Sequence, residues 1–148
     1  MIREEGNAAA VNLLLRRALA GEMFAHAGEA SPEECCGLLG GRGGRAESVY
    51  RLRNVAGEAS VAYEAAPEDL FAAQRSMRAR GEELLGIYHS HPRSADPVPS
   101  PTDVKLAFYP SAVYFIVGLG GVAPVLRAFR ISERAGSWER ADFALTDD

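Results

Sequence analysis

An apolar run that ends in two histidines and a proline constrains this chain more than any other feature. The run is Leu84-Leu85-Gly86-Ile87-Tyr88, and His89-Ser90-His91-Pro92 follow it. Its aliphatic and aromatic residues predict a strand, and the proline marks its end. Side chains two apart on a strand share a face, roughly 6.5–7 Å apart along it. His89 and His91 therefore project together from the end of the strand. Two imidazoles aimed at one point can hold a divalent metal such as zinc, with bonds of about 2.0–2.1 Å. A catalytic zinc takes three protein ligands and leaves its fourth position to water.

Asp103 is the candidate third ligand. Ser100-Pro101-Thr102-Asp103 reads as a helix start, with Ser at the N-cap, Pro at the first helical position and Asp at the third. Val104, Leu106, Ala107 and Phe108 continue it as a short helix that can carry Asp103 back toward the histidines. An isolated His-x-His is more often a solvated or core pair, and an isolated Ser-x-x-Asp is usually a capping box. Their order in the chain, with a Pro-rich loop between them, is what points to a metal site.

The rest of the chain reads as one scaffold around that site. Its 148 residues suit a single domain over 9–148, with 1–8 as a loose terminus. A helix is predicted from Ala9 to Gly28 on the stripe Val11, Leu15, Leu19, Met23, and His26 near its end reads as structural. Ser31-Pro32 breaks it. Cys35 to Gly40 reads as a buried strand with Glu34 at its entry, and Gly40 to Gly44 as a turn. That glycine cluster lacks the Gly-Lys-Ser/Thr ending of a phosphate loop. Strands are predicted over Ala46–Arg53 and Val61–Glu64. A helix runs from Pro67 to Arg80 and is stopped by Gly81. After the histidine strand and the Asp103 helix come strands over Ala112–Leu119, Val125–Ile131 and Ser137–Leu145. This order gives a mixed α/β layered fold of the α+β kind.

Composition excludes several classes. A net charge of −4 argues against a nucleic-acid surface. No apolar run approaches the ~20 residues of a membrane span. Met1 to Gly6 lacks the basic and apolar regions of a signal peptide, so a cytoplasmic protein is expected. Cys35 and Cys36 are adjacent and point to opposite faces of a strand, so they do not form a disulfide framework. They read as buried apolar residues, with a nucleophilic Cys36 as the sharper alternative.

At these residues the sequence resembles a known family. His89-Ser90-His91-Pro92 with Pro99-Ser100 and Asp103 is similar to the JAMM motif of the MPN-type zinc metalloproteases. Pro32-Glu33-Glu34-Cys35-Cys36-Gly37-Leu38-Leu39-Gly40-Gly41 resembles that family's upstream Glu-x-Cys-Gly segment, and Cys36-Gly37 fix Glu34 as the matching acid. The resemblance covers roughly residues 11–131. It departs in one place: eleven residues, Pro92 to Thr102, separate His91 from Asp103, one more than the usual spacing. The extra residue is placed in the loop Arg93–Val98, where insertions are tolerated best.

The resemblance implies a curved, mainly antiparallel sheet flanked by helices, in a cytidine-deaminase-like MPN fold. It implies zinc held by His89, His91 and Asp103, with Glu34 as general base and then acid, and Ser100 as a donor to the oxyanion. The implied reaction is hydrolysis of a peptide or isopeptide bond after the C-terminal Gly-Gly of a ubiquitin-like or sulfur-carrier protein, by a monomer or homodimer. A non-catalytic MPN scaffold and a peptidase trimming cell-wall peptides are the rival readings. A base deaminase is rejected because its Cys-x-x-Cys is missing.

Overall fold

A computed structural model describes residues 13–147; the predicted loose terminus, the start of the first predicted helix and Val11 lie outside them. Eight strands and three helices follow in the order β1 (Leu13–Arg16), α1 (Arg17–Ala30), β2 (Cys36–Arg42), β3 (Arg45–Leu52), α2 (Pro67–Arg80), β4 (Glu83–His91), α3 (Pro101–Lys105), β5 (Val113–Gly118), β6 (Val125–Ser132), β7 (Ser137–Arg140) and β8 (Phe143–Thr146).

All eight strands form one sheet in the order β7-β6-β5-β4-β2-β3-β1-β8. Four of its seven pairings are antiparallel and three are parallel. β7 and β8 lie at opposite edges, yet only Ala141 and Asp142 separate them in the chain. Three residue steps reach roughly 11 Å. The sheet must therefore curl until its edges nearly meet. Phe115 of β5 and Phe143 of β8 touch edge to face across the inside, with ring centroids 5.2 Å apart.

The alternation of each strand sorts the core into two clusters. Leu15, Leu39, Tyr88, Phe115, Val117 and Phe143 fill the inside of the curl against Leu19, Met23 and Ala27 of α1. Leu38, Ile87, Tyr114 and Ile116 face outward beneath Ala73 and Met77 of α2. Full burial of side chains this size is worth about 1.5–3 kcal/mol each. Tyr88 passes directly over Gly37, its partner on β2, and a methyl group at Gly37 would overlap the ring. The Tyr88 hydroxyl shares a 2.7 Å hydrogen bond with His26 Nδ1, which bears out a structural role for that histidine.

Four local expectations differ from the structure. Leu13 to Arg16 is a strand rather than helix, because Leu13 and Leu15 bury with period two before α1 begins. A strand that runs straight into a helix leaves the four-residue stripe Leu15, Leu19, Met23 intact, so the pattern hides the junction. β2 continues through Gly40 and Gly41 with a register shift, and the turn falls at Gly43-Gly44, whose φ values are 61° and 75°. Val61 to Glu64 is not a strand. Val61 and Ala62 donate to the Glu58 carbonyl, and Glu64 N–H donates to the Asn54 side chain. Ser137 to Leu145 is two strands, split at Ala141-Asp142.

Candidate metal centre

β4 is the fourth strand from one edge, between β5 and β2, and its end carries the histidines. His89 shares a face with Ile87 and so looks outward, toward the side where α2 and α3 lie. Ser90 looks the other way and locks the strand end. Cys35 N–H donates to Ser90 Oγ at 2.8 Å, and Ser90 N–H donates to the Cys35 carbonyl at 3.2 Å. In this register Cys36 stands opposite His89. Carried two residues further, it sets Glu34 level with His91 and on the same face. The sheet thus brings the upstream acid to the histidines across about fifty residues of chain.

Beyond His91 the chain leaves the sheet and returns as α3. Ser100 caps that helix in both directions: its Oγ accepts from Asp103 N–H at 3.0 Å, and its N–H donates to Asp103 Oδ2 at 2.9 Å. The capping box expected from Ser-x-x-Asp is present, and it aims the Asp103 carboxylate at β4. Leu106 and Phe108, read as part of the helix's apolar face, are exposed, while Ala107 is buried.

Three atoms converge. His89 Nε2, His91 Nε2 and Asp103 Oδ2 lie 3.1 Å from one another in every pairing. A tetrahedral zinc with bonds of about 2.0–2.1 Å needs its ligand atoms ~3.3 Å apart. The chemistry of the donors supports the same conclusion. A neutral imidazole with a bare Nε2 offers a lone pair, and so does a carboxylate oxygen. His89 Nε2 and His91 Nε2 also stand 3.1 Å from each other, a contact that a cation bonded to both satisfies and that two N–H groups cannot make with one another. The residues present fit a divalent metal. Burial works to raise the Asp103 carboxyl, but hydrogen bonds from both histidines, their charge and the Ser100 N–H outweigh it and hold it below the usual carboxylate range.

Glu34 stands beside this group. The residue is 6% exposed, and its Oε1 is buried without a hydrogen-bond partner among the described residues. Burial raises its pKa, and the charge of His89 and His91 pulls the other way. Glu34, His91 and Ser100 line one open cleft of about 330 Å³ with Ser60, Val61, Pro92, Arg93 and Ser94. All five sequence-predicted site residues are therefore brought together. The Cys36 alternative fares differently: burial pushes that thiol up to about 12, so it offers no thiolate.

Two residues that sequence reasoning passed over complete the surroundings. The Tyr63 ring stacks on His89 at a centroid distance of 4.5 Å and 27° between planes. It does so where His89 Nδ1 has no hydrogen-bond partner among the described residues. Asn54 is the hub of the loop that carries Tyr63. Its amide donates to the carbonyls of Glu34, Ala59 and Ala62 at 2.9, 3.4 and 3.0 Å, and its Oδ1 accepts from Ala56 and Glu64 N–H, both at 3.0 Å. An Asn opening a turn-rich stretch was the available signal for the hub; nothing in the sequence marks Tyr63.

Residues 16–132 match the family described as prokaryotic homologs of the JAB domain. The chain belongs to this family. Among its relatives is the CysO-cysteine peptidase of Mycobacterium tuberculosis, 35% identical over 126 residues, which are 83% of this chain and 85% of the relative. A probable TtuB-protein conjugate cleaving protease from Thermus thermophilus is 39% identical over 121 residues, 82% of this chain and 77% of the relative. A desampylase from Haloferax volcanii is 40% identical over 92 residues, 61% of this chain and 66% of the relative. The solution structure of a Desulfitobacterium hafniense protein superposes with a TM-score of 0.80 at 35% identity, covering 92% of this chain and 94% of that one. A JAB1/MPN domain protein from Archaeoglobus fulgidus shares the fold, with a TM-score of 0.60 at 18% identity over 93% of this chain and 99% of that one. No helix among the described residues is long and apolar enough to cross a membrane.

Proposed function

We propose that this JAB-family protein is a zinc metallopeptidase that hydrolyses the peptide or isopeptide bond after the C-terminal Gly-Gly of a ubiquitin-like or sulfur-carrier protein. The observation that carries the reading is the mutual 3.1 Å approach of His89 Nε2, His91 Nε2 and Asp103 Oδ2. These residues would hold the ion, and two imidazoles with one carboxylate are a donor set that suits zinc. When bound, such an ion lowers the pKa of water from 15.7 to about 7 and polarises a carbonyl oxygen.

The remaining work falls to this chain's own groups. Glu34 takes the proton of the attacking water and delivers it to the leaving nitrogen. Its burial suits the exchange, because a raised pKa brings a carboxyl nearer to neutral pH. Ser100 Oγ accepts from the Asp103 N–H, which leaves its hydroxyl proton free to donate to the oxyanion. One such donor is worth about 3 kcal/mol in the transition state. Ser60, Val61 and Ser94 at the rim are short, so a tail of two glycines can lie in the cleft as bare backbone.

The relatives named for CysO-cysteine and for TtuB conjugates support the substrate class. Two buried free thiols fit a reducing compartment, and the cytoplasm is the proposed setting. The test uses TtuB and CysO fusions carrying a Gly-Gly junction, with metal analysis of the same samples. The wild-type protein is expected to hold about one zinc per chain and to cut after the second glycine; Glu34→Gln is expected to keep the zinc and lose turnover. Protein that binds no divalent metal, or a Glu34→Gln variant of near-normal activity, would overturn the reading.

A further inference from the structure

Several arginines elsewhere in the structure are engaged, while the side chains of Arg45, Arg75, Arg78 and Arg134 make no ion pair or hydrogen bond among the described residues and line no part of the cleft at Glu34. Arg17, Arg51, Arg53 and Arg127 pair with carboxylates, and Arg16, Arg42 and Arg130 donate to carbonyl oxygens. Arg93 lines the cleft with Glu34, His91 and Ser100, and its guanidinium has no ion pair or hydrogen bond among the described residues. Exposure alone makes an arginine an ordinary solvated cation. Here the backbone beneath it is fixed. Ser94 N–H donates to the His91 carbonyl at 3.2 Å, and Gly120 N–H donates to the Ser94 carbonyl at 2.9 Å. Asp96 pairs with Arg127 at 3.0 Å, and Pro97 is fully buried. Gly118 and Gly120 form the floor: a Cβ at either would overlap the loop backbone or Pro97. The positive charge also acts on the Glu34 carboxyl.

Position decides what such a cation can read. In the reaction proposed above, Glu34 protonates the leaving nitrogen, so whatever hangs on that nitrogen emerges beside Glu34. A lysine isopeptide puts methylenes there. A single released amino acid puts its free α-carboxylate there, two bonds from the nitrogen. A guanidinium offers five donors in a fixed fork that matches a carboxylate and gains nothing from methylenes.

We propose that Arg93 binds the free α-carboxylate of the residue released, so that the preferred substrate is a Gly-Gly-ended carrier extended by one C-terminal amino acid rather than a lysine conjugate. Water adds to the glycine carbonyl carbon and the C–N bond breaks. The carrier leaves as a carboxylate, and both water protons end on the amine, which leaves as an ammonium group. Arg93 takes no part in bond breaking; it determines which leaving group is held. The inference rests on the peptidase reading of the same cleft.

The experiment compares two substrates that differ in one group. TtuB or CysO ending in Gly-Gly-Ala is prepared with a free C-terminal carboxylate and with a C-terminal amide, and kcat/KM is measured for wild-type, Arg93→Lys and Arg93→Ala protein loaded with zinc. The wild type is expected to prefer the free acid by about tenfold or more, the size of one charge-assisted hydrogen bond. Arg93→Ala is expected to bring that ratio to within about twofold of unity, and Arg93→Lys to keep part of it. The ratio cancels any general effect of removing a positive charge near Glu34. Binding to the Glu34→Gln variant gives a readout free of turnover: its Kd for the acid is expected to be tighter than for the amide, and Arg93→Ala in that background to abolish the difference. Equal cleavage of acid and amide by the wild type, or a preference that survives Arg93→Ala, overturns the role of Arg93 and leaves the peptidase reading standing. Failure of the zinc-loaded wild type to cut any of the three substrates, the free acid, the amide and the corresponding lysine isopeptide, overturns both.

Discussion

The two sides of the cleft are built in different ways. The ligand side rests on regular structure: a central strand and a helix whose first turn is closed by its own capping box. The acid side rests on a loop. Glu34 precedes β2, its N–H donates to the Ala59 carbonyl, and its carbonyl is tied to Asn54. One side lies within the hydrogen-bonded ladder; the other joins it only through the Cys35–Ser90 bonds and is otherwise tied by Asn54 and the Ala59 carbonyl. Sheet geometry fixes ligand directions to within a narrow range, as a metal needs. A proton shuttle must meet first water and then an amine, and a loop tolerates that small shift better.

The largest expected effect separates the sides outright. His91→Ala should lower zinc affinity by more than about 100-fold, beyond what loss of a supporting contact causes, and zinc titration checks it. Glu34→Gln should lower kcat by about 10²–10⁴-fold with the zinc retained. If Glu34→Gln also lost the metal, the division between the two sides would be wrong.

Next in size is Asn54→Ala. It strands the carbonyls of Glu34 and Ala62 and the N–H groups of Ala56 and Glu64 in a partly buried loop, while the Ala59 carbonyl keeps its bond from Glu34 N–H. Each unsatisfied group costs about 1–3 kcal/mol when buried. Partial solvation of this loop brings the expected loss to roughly 2–3 kcal/mol in denaturant unfolding. Turnover should fall while zinc content stays near one per chain. Equal damage to metal binding would show that the loop supports both sides.

Tyr63→Leu tests the ring contact that the loop makes with the ligand His89. Without the stacked ring the His89 imidazole loses its orientation, and zinc affinity should fall by about tenfold. Unchanged affinity would make Tyr63 a packing residue alone.

The smallest effect concerns stability without metal. Folding raises the pKa of Glu34 above its usual value of 4.5. The native state then binds more protons than the unfolded chain between those two pKa values, so stability falls as pH rises through that window. Ionised Glu34 therefore destabilises the metal-free fold at pH 7, and Glu34→Gln should raise its thermal midpoint there. The gain should vanish below about pH 4, where both states are protonated. A constant gain at all pH values would assign it to packing instead.

The same contrast governs how far the sequence could be read. His89, His91, Ser100 and Asp103 were legible because strand alternation and helix capping are local rules with short periods. Glu34 needed the likeness to a family, since its approach to His91 depends on strand register across about fifty residues. Asn54 and Tyr63 stayed hidden because loop 54–64 bonds to a side chain, and no period in the sequence records that. The junction of β1 with α1 and the split between β7 and β8 were missed for another reason. Leu13 to Arg16 fits either a helical or an extended pattern until its neighbours β3 and β8 are known.

That last pairing has a consequence for the order of assembly. β1, the first strand described, lies between β3 and β8, the last. Registry between Leu13–Arg16 and Phe143–Thr146 joins parts of the chain about 130 residues apart. Such distant partners slow folding, because closing so large a loop precedes any reward from contact. During synthesis the metal ligands and Glu34 emerge well before the strand that closes the curl. A nascent chain thus carries its chemistry for some seconds on a sheet with an open seam, and β8 is the clasp that seals it.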